Sequence, residues 1–261
     1  MDHHTNQSGA LNLGVTIFLA LAVMTVVEFF IAISLPPDGF ATVLLLVILA
    51  VGKAGMVLYY YMHISKLSEP DENEDHHSLA YKTRTNRLGL WLFLLSDSFL
   101  FGGLAVVRFN LLGISRPDLE NQLLGLAITS VLLLSSFFMN RAEMLMANGD
   151  RKGFLTFTAL TLVLGIGFLI GVVGVEWQTV PFGPEDRVQG AVFFMMTGMH
   201  AFHVLTGVIF LSVILRNGLK GLYTPEKHFA VEAAAVYWHF VDVVWIFFYP
   251  ALYLIGRMVG G

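Results

Sequence analysis

The stretch from Val231 to Ile255, VEAAAVYWHFVDVVWIFFYPALYLI, decides the fold. It is 25 residues of almost unbroken apolar sequence. A hydrocarbon core about 30 Å thick takes roughly 20 such residues as helix. The run nevertheless holds Glu232, His239 and Asp242. Ionisable groups inside a span are costly, so each asks for a partner or a role. His239 and Asp242 are three residues apart and share a helix face, and Trp238 and Trp245, seven apart, share roughly another. The pattern reads as a buried hydrogen-bond network or a lipid-headgroup site, with metal or haem ligation the alternative.

Working outward, six further apolar runs precede it: Leu11–Leu35, Phe40–Met62, Leu88–Val107, Leu123–Met139, Phe154–Val175 and Val188–Leu215. The whole chain of 261 residues is 56% hydrophobic and 13% charged, against about 25% charged in a soluble domain. Mean hydropathy is +0.71. This composition excludes a disordered chain, a nucleic-acid binder and an ordinary soluble enzyme. It predicts an all-α fold, a polytopic bundle of seven transmembrane helices. Lys and Arg fall ten to four in favour of the side that holds the N-terminus and the loops after the second, fourth and sixth spans. The positive-inside bias then places the N-terminus inside and the C-terminus outside. The first ten residues have no Lys or Arg, and the first apolar run is too long for a signal-peptide core, so a cleavable signal peptide is not expected.

Residues 65–87 form the longest polar stretch and include the acidic run Glu69 to Asp75 followed by His76 and His77. They divide the chain into a two-helix part, 1–64, and a five-helix part, 88–261. A solvated linker between two modules is the expected role; a metal site or a proton-collecting surface is the alternative. No internal repeat supports an inverted-repeat transporter.

The other ionisable groups inside spans are Glu28, Lys53, Asp97, His200 and His203. Glu28 and Lys53 face each other across the first hairpin with an offset of six residues, about 9 Å of helix rise. A long lysine can cover part of that, directly or through a water, which predicts an interhelical polar contact. Tyr59, Tyr60, Tyr61 and His63 are expected in an interfacial belt. His200 and His203, three apart, share a helix face but lack a third ligand at i+4 or i+7. Asp97 sits between Ser96 and Ser98 and is either a buried structural acid or a proton-linked one. The chain has no cysteine, which excludes disulfides, thiolate metal sites and thiol nucleophiles. Of nine histidines only three lie inside spans, too few to hold two haems and a copper. No metal site is therefore expected in this chain.

At three places the residues resemble a known family. Thr197-Gly198-Met199-His200-Ala201-Phe202-His203-Val204 resembles the T-G-x-H-x-x-H-V segment of cytochrome oxidase subunit III. Glu232 to Trp245, EAAAVYWHFVDVVW, resembles that family's last-helix segment, and Trp91 to Asp97, WLFLLSD, its W-L-F-I-L-S-E segment. The likeness runs from about Arg87 to Ile255, five helices, as in shorter bacterial forms of the subunit. It departs from the family at Asp97, where Glu is usual. The first hairpin resembles something else. Val51 to His63, VGKAGMVLYYYMH, is similar to a pattern of the small bacterial oxidase subunit IV. The expectation is a fusion of subunit IV with subunit III; a divergent seven-helix subunit III is the alternative.

The resemblance implies a non-catalytic subunit of a haem–copper terminal oxidase, an accessory to oxygen reduction by cytochrome c, in a bacterial inner membrane. It implies partners in subunits I and II, with a larger respiratory assembly also open. Haems and copper would be held by those partners and a structural phospholipid by this chain. Asp97 becomes a proton-uptake residue or buried acid. His200, His203, Glu232, His239, Asp242 and Arg216 become lipid-site or polar-network residues, with Arg216, Lys220 and Lys227 at inner-leaflet phosphates. A quinol oxidase subunit is the alternative, and an independent proton or ion transporter using Glu28, Lys53 and Asp97 a distant one.

Overall fold

The computed structural model describes residues 2–36, 39–62, 79–117 and 122–258. Among them, seven helices are long and apolar enough to cross a membrane. We label these α1 (Asp2–Ser34), α2 (Phe40–Tyr61), α3 (Leu79–Leu112), α4 (Gln122–Ala147), α5 (Arg151–Thr179), α6 (Arg187–Leu219) and α7 (Phe229–Leu254). A two-residue parallel pair, β1 (Ser115–Arg116) with β2 (Arg257–Met258), ties the end of α3 to the end of α7. The acidic run and His76 and His77 lie outside the described residues, as does His63.

The helices outrun the apolar stretches that announce them. α3 begins at Leu79 instead of Leu88, so residues 79–87, expected within the linker, are helical. α4 continues to Ala147 instead of ending at Met139. Polar turns continue a helix at no cost once its end stands in the headgroup region, and hydropathy does not see them. Between α4 and α5, Gly149 takes φ +80°, and Asp150 caps α5 by accepting from the Gly153 N–H at 3.0 Å.

α7 is the hub. It packs on α2, α3, α4 and α6, and 94% of its apolar window is buried. Close approach is possible because α7 sets large rings against glycines on its neighbours. A Cβ on Gly165 of α5 would lie 2.5 Å from Trp238, one on Gly207 of α6 2.9 Å from it, and one on Gly125 of α4 2.6 Å from Tyr253. Small residues at membrane helix crossings act in this way. Both α7 tryptophans donate to α4: Trp238 Nε1 to Ser135 Oγ and Trp245 Nε1 to Thr129 Oγ1, each 3.0 Å.

Among the described residues, π-helical turns interrupt the bundle at Val57–Tyr61 in α2, Ile170–Glu176 in α5 and Pro250–Leu254 in α7. The last begins at a proline, which has no N–H to give the preceding turn. Such turns re-aim side chains, and here they carry Tyr61, Glu176 and Tyr253 to inward positions.

Candidate functional site

Six of the ionisable residues expected from the sequence fall in two groups with different neighbours. The first faces the hairpin. Lys53 Nζ lies 2.5 Å from Glu28 Oε2 and 3.5 Å from Thr25 Oγ1. Both charged side chains are essentially inaccessible, at 1% and 0%. The offset of six residues is thus closed by direct contact, without a bridging water. Asp242 of α7, 1% exposed, has Lys53 and Ser136 as electrostatic neighbours. His239 of α7 lies with Nδ1 3.4 Å from the same Ser136 hydroxyl, and its ring rests on Tyr61 at 5.1 Å. Tyr61 does not join Tyr59 and Tyr60 in an interfacial belt. Those two are exposed, whereas Tyr61 turns inward and donates to the Gly14 carbonyl at 3.3 Å.

The second group faces α3 and α6. His203 Nδ1 donates to the Met199 carbonyl at 2.8 Å, which leaves Nε2 toward Asp97 Oδ2 at 3.4 Å. That is ion-pair range, short of a closed hydrogen bond. The flanking Ser98 does not bond Asp97 and donates instead to the Leu94 carbonyl at 2.8 Å. Tyr237 Oη meets Thr206 Oγ1 at 2.7 Å and the His203 carbonyl at 3.3 Å. Asp97, His203, Thr206 and Tyr237 line a cleft of about 470 Å³ together with the apolar side chains of Leu90, Phe93, Phe202 and Phe210. A lining that mixes polar groups with large apolar side chains suits an amphiphile.

His200 does not share the target of His203. Its Nε2 donates to the Val241 carbonyl at 3.0 Å, and its ring packs on Trp245 at 4.7 Å. The helix twist between positions 200 and 203 suffices to turn one ring to α7 and the other to α3. Among the described residues, no three His, Asp or Glu side chains gather as a metal site. Glu232, at the N-terminal end of α7, takes a two-pronged contact from Arg87 at 2.7 and 3.0 Å. Arg216 is exposed at the end of α6.

This arrangement has a counterpart among known proteins. The family model of cytochrome c oxidase subunit III matches residues 39–257. The chain belongs to the cytochrome c oxidase subunit III family. Related subunits include that of Sus scrofa, 32% identical over 223 residues, covering 81% of this chain and 85% of the relative. That of Papio hamadryas is 34% identical over 224 residues, covering 80% and 84%. That of Gallus gallus is 35% identical over 182 residues, covering 65% and 69%. The chain is thus a multi-pass membrane subunit of an oxidase, in a family whose members assemble with other oxidase subunits. The match begins ahead of α2, so it takes in the second helix of the hairpin as well as the five that follow.

Three buried ionisable residues of this subunit escaped the sequence reading. Arg108, 0% exposed, directly follows the apolar run that ends at Val107, so hydropathy alone places it in a loop. Its Nε donates to the Ala251 carbonyl at 2.7 Å, Nη1 to Gly113 at 2.7 Å, and Nη2 to Ser115 at 2.8 Å and Ile255 at 3.2 Å. Glu143, 5% exposed, and Glu176, 3% exposed, also follow run ends. Glu176 Oε1 accepts from Tyr253 Oη at 2.7 Å. The signal that could have found them is position: each lies within one helical turn of a run end, where the helix continues into protein.

Proposed function

We propose that this subunit III is a non-catalytic partner in a terminal oxidase that reduces oxygen with electrons from cytochrome c. It packs beside subunit I, holds phospholipid and supports proton uptake, while subunits I and II hold the haems and copper. The names of the family model and of its relatives support cytochrome c as donor. The positive-inside bias supports an inner N-terminus, and burial of Arg108 within the bundle removes one of the four outer charges and strengthens it. The bacterial inner membrane is the proposed location. The extent of the family match, from residue 39, and the packing of α1 on α4 and of α2 on α7, support the first hairpin as part of a seven-helix subunit III. A fused subunit IV is the second reading, supported by the likeness of residues 51–63.

The observation that carries the proton-uptake role is the Asp97–His203 pair, set in the cleft on α3, the least buried span. Asp97→Asn is expected to leave assembly and the haem spectrum intact while activity decays faster over repeated turnovers. Unchanged decay in the purified mutant oxidase sinks that role. Purification through a tag on this chain in mild detergent tests the wider reading. Co-purifying haem supports it, and a colourless, solitary chain overturns it.

A further inference from the structure

The group between the hairpin and α7 is not used by the proposed function. Glu28 from α1, Lys53 from α2 and Asp242 from α7 lie within the membrane span at 0%, 1% and 1% exposure. Lys53 is 2.5 Å from Glu28 Oε2 and is an electrostatic neighbour of Asp242. The other groups facing them are Tyr61 from α2, His239 and Tyr249 from α7, and the Ser136 hydroxyl from α4. Two carboxylates against one ammonium leave a net charge of −1, and among the described residues facing them only His239 could add a second positive charge. A net charge sealed in low dielectric is expensive, whereas a neutral set is tolerated.

The polar inventory points the same way. Among the described residues, Glu28 Oε1 and Tyr249 Oη complete no hydrogen bond, and the two Asp242 oxygens, which face the Ser136 hydroxyl, close none of good geometry. Buried polar atoms are nearly always paired, and exceptions ask for an explanation. A proton on a carboxyl supplies a donor where these acceptors have none. Polar groups continue on both sides. Tyr61 borders a small pocket of about 130 Å³ lined also by Gly14 and Asn140. Tyr249 stacks near Tyr253 at 5.4 Å, and Tyr253 donates to Glu176.

We infer that Glu28, Lys53 and Asp242 form a proton-binding site inside this chain, separate from Asp97, in which two carboxyls and one ammonium hold one exchangeable proton. The site lies where the hairpin meets α7, so it exists only when the hairpin is docked.

Infrared difference spectroscopy tests this on the chain purified in mild detergent with whatever subunits accompany it, so the outcome does not depend on oxidase activity. The carbonyl stretch of a protonated carboxyl is expected in the wild type and shifts in D2O. It is lost in the double variant Glu28→Gln/Asp242→Asn. Lys53→Met is expected to raise its intensity about twofold, because without the ammonium both acids must be neutral. If the single variants fail to fold, Glu28→Gln/Lys53→Met keeps the interior neutral and is expected to retain a band that shifts with 13C-carboxyl aspartate. The inference is overturned if the double carboxamide variant has the wild-type spectrum or if Lys53→Met leaves the intensity unchanged. It is also overturned if the band emerges only on removing sodium, which would make a metal cation the occupant.

Discussion

Arg108 is expected to be the residue on which the end of the bundle that joins α3 to the C-terminal end of α7 depends most. Replacing it with Met keeps most of the side-chain volume and removes every donor. Four carbonyls then lose their partner: those of Ala251 and Ile255 on the α7 side, and those of Gly113 and Ser115 after α3. The bonds to Gly113 and Ser115 are only partly buried, so water can replace much of them. The Ala251 and Ile255 carbonyls are buried. An acceptor left unpaired in such a place costs about 1–3 kcal/mol, so the two together place the loss at about 2–6 kcal/mol. Arg108→Lys separates charge from geometry. One ammonium on a shorter stem cannot reach four carbonyls arranged around a guanidinium, so Lys is expected to recover less than half of the loss. Reversible unfolding in mixed micelles by increasing SDS, followed by tryptophan fluorescence, measures both variants. Limited proteolysis at residues 113–117 reports whether the loop after α3 is released first. A loss below about 1 kcal/mol for Arg108→Met, or full recovery by Lys, refutes the reasoning.

Gly165→Leu is expected to abolish folding or assembly, because the new Cβ alone would sit 2.5 Å from Trp238; recovery of the variant in the membrane fraction at wild-type level refutes this. Trp238→Phe keeps the ring contact but loses the donor to Ser135, an expected cost of about 1 kcal/mol in the same unfolding assay. Arg87→Gln breaks a two-pronged contact whose partners are 21% and 11% exposed, and is expected to cost about 1–2 kcal/mol, with Glu232→Gln adding little to it in the double variant. Glu226, in the loop between α6 and α7, has its carboxyl held below the ordinary range by its own backbone N–H and by the Thr224 hydroxyl. A folded value below the unfolded one means that its contribution is present above the unfolded value and is lost as pH falls through the folded one. Thr224→Val is expected to bring the Glu226 titration, followed by NMR with 13C-labelled glutamate, back toward the ordinary value.

The seven spans were legible in the sequence because length and apolarity alone define a crossing helix. Glu28 and Lys53 were legible as partners because a hairpin fixes which levels face each other, but not their direct contact, since helix tilt and rotation are set by packing. The divergence of His200 and His203 was not legible. Spacing places two residues on one face but does not say which neighbouring helix lies on either side of it. Arg108, Glu143 and Glu176 were missed for a further reason: a hydropathy reading ends a span where the charges begin. Here each of those charges is inside the protein, on a helix that runs beyond its apolar run.

The relation between hydropathy and burial explains why the polar sites gather where they do. α1 has the highest mean hydropathy of the seven spans, 2.5, and only 22% of its window is buried; α7 has the lowest, 1.4, and 94% is buried. In water the most apolar helix would take the centre. In lipid the exposed face gains nothing from being inside, and association rests on packing and polar contacts. A helix buried over most of its surface by protein can hold Glu232, His239, Asp242 and two tryptophan N–H groups, because each faces a neighbouring side chain instead of hydrocarbon. The peripheral α3 can hold Asp97 only where α6 and α7 supply His203 and Tyr237 beside it. The same rule separates the two groups chemically. The hairpin group is enclosed on all sides, so it must settle its charge within itself. The α3 group opens to a cleft, so its charge can be met from outside the chain.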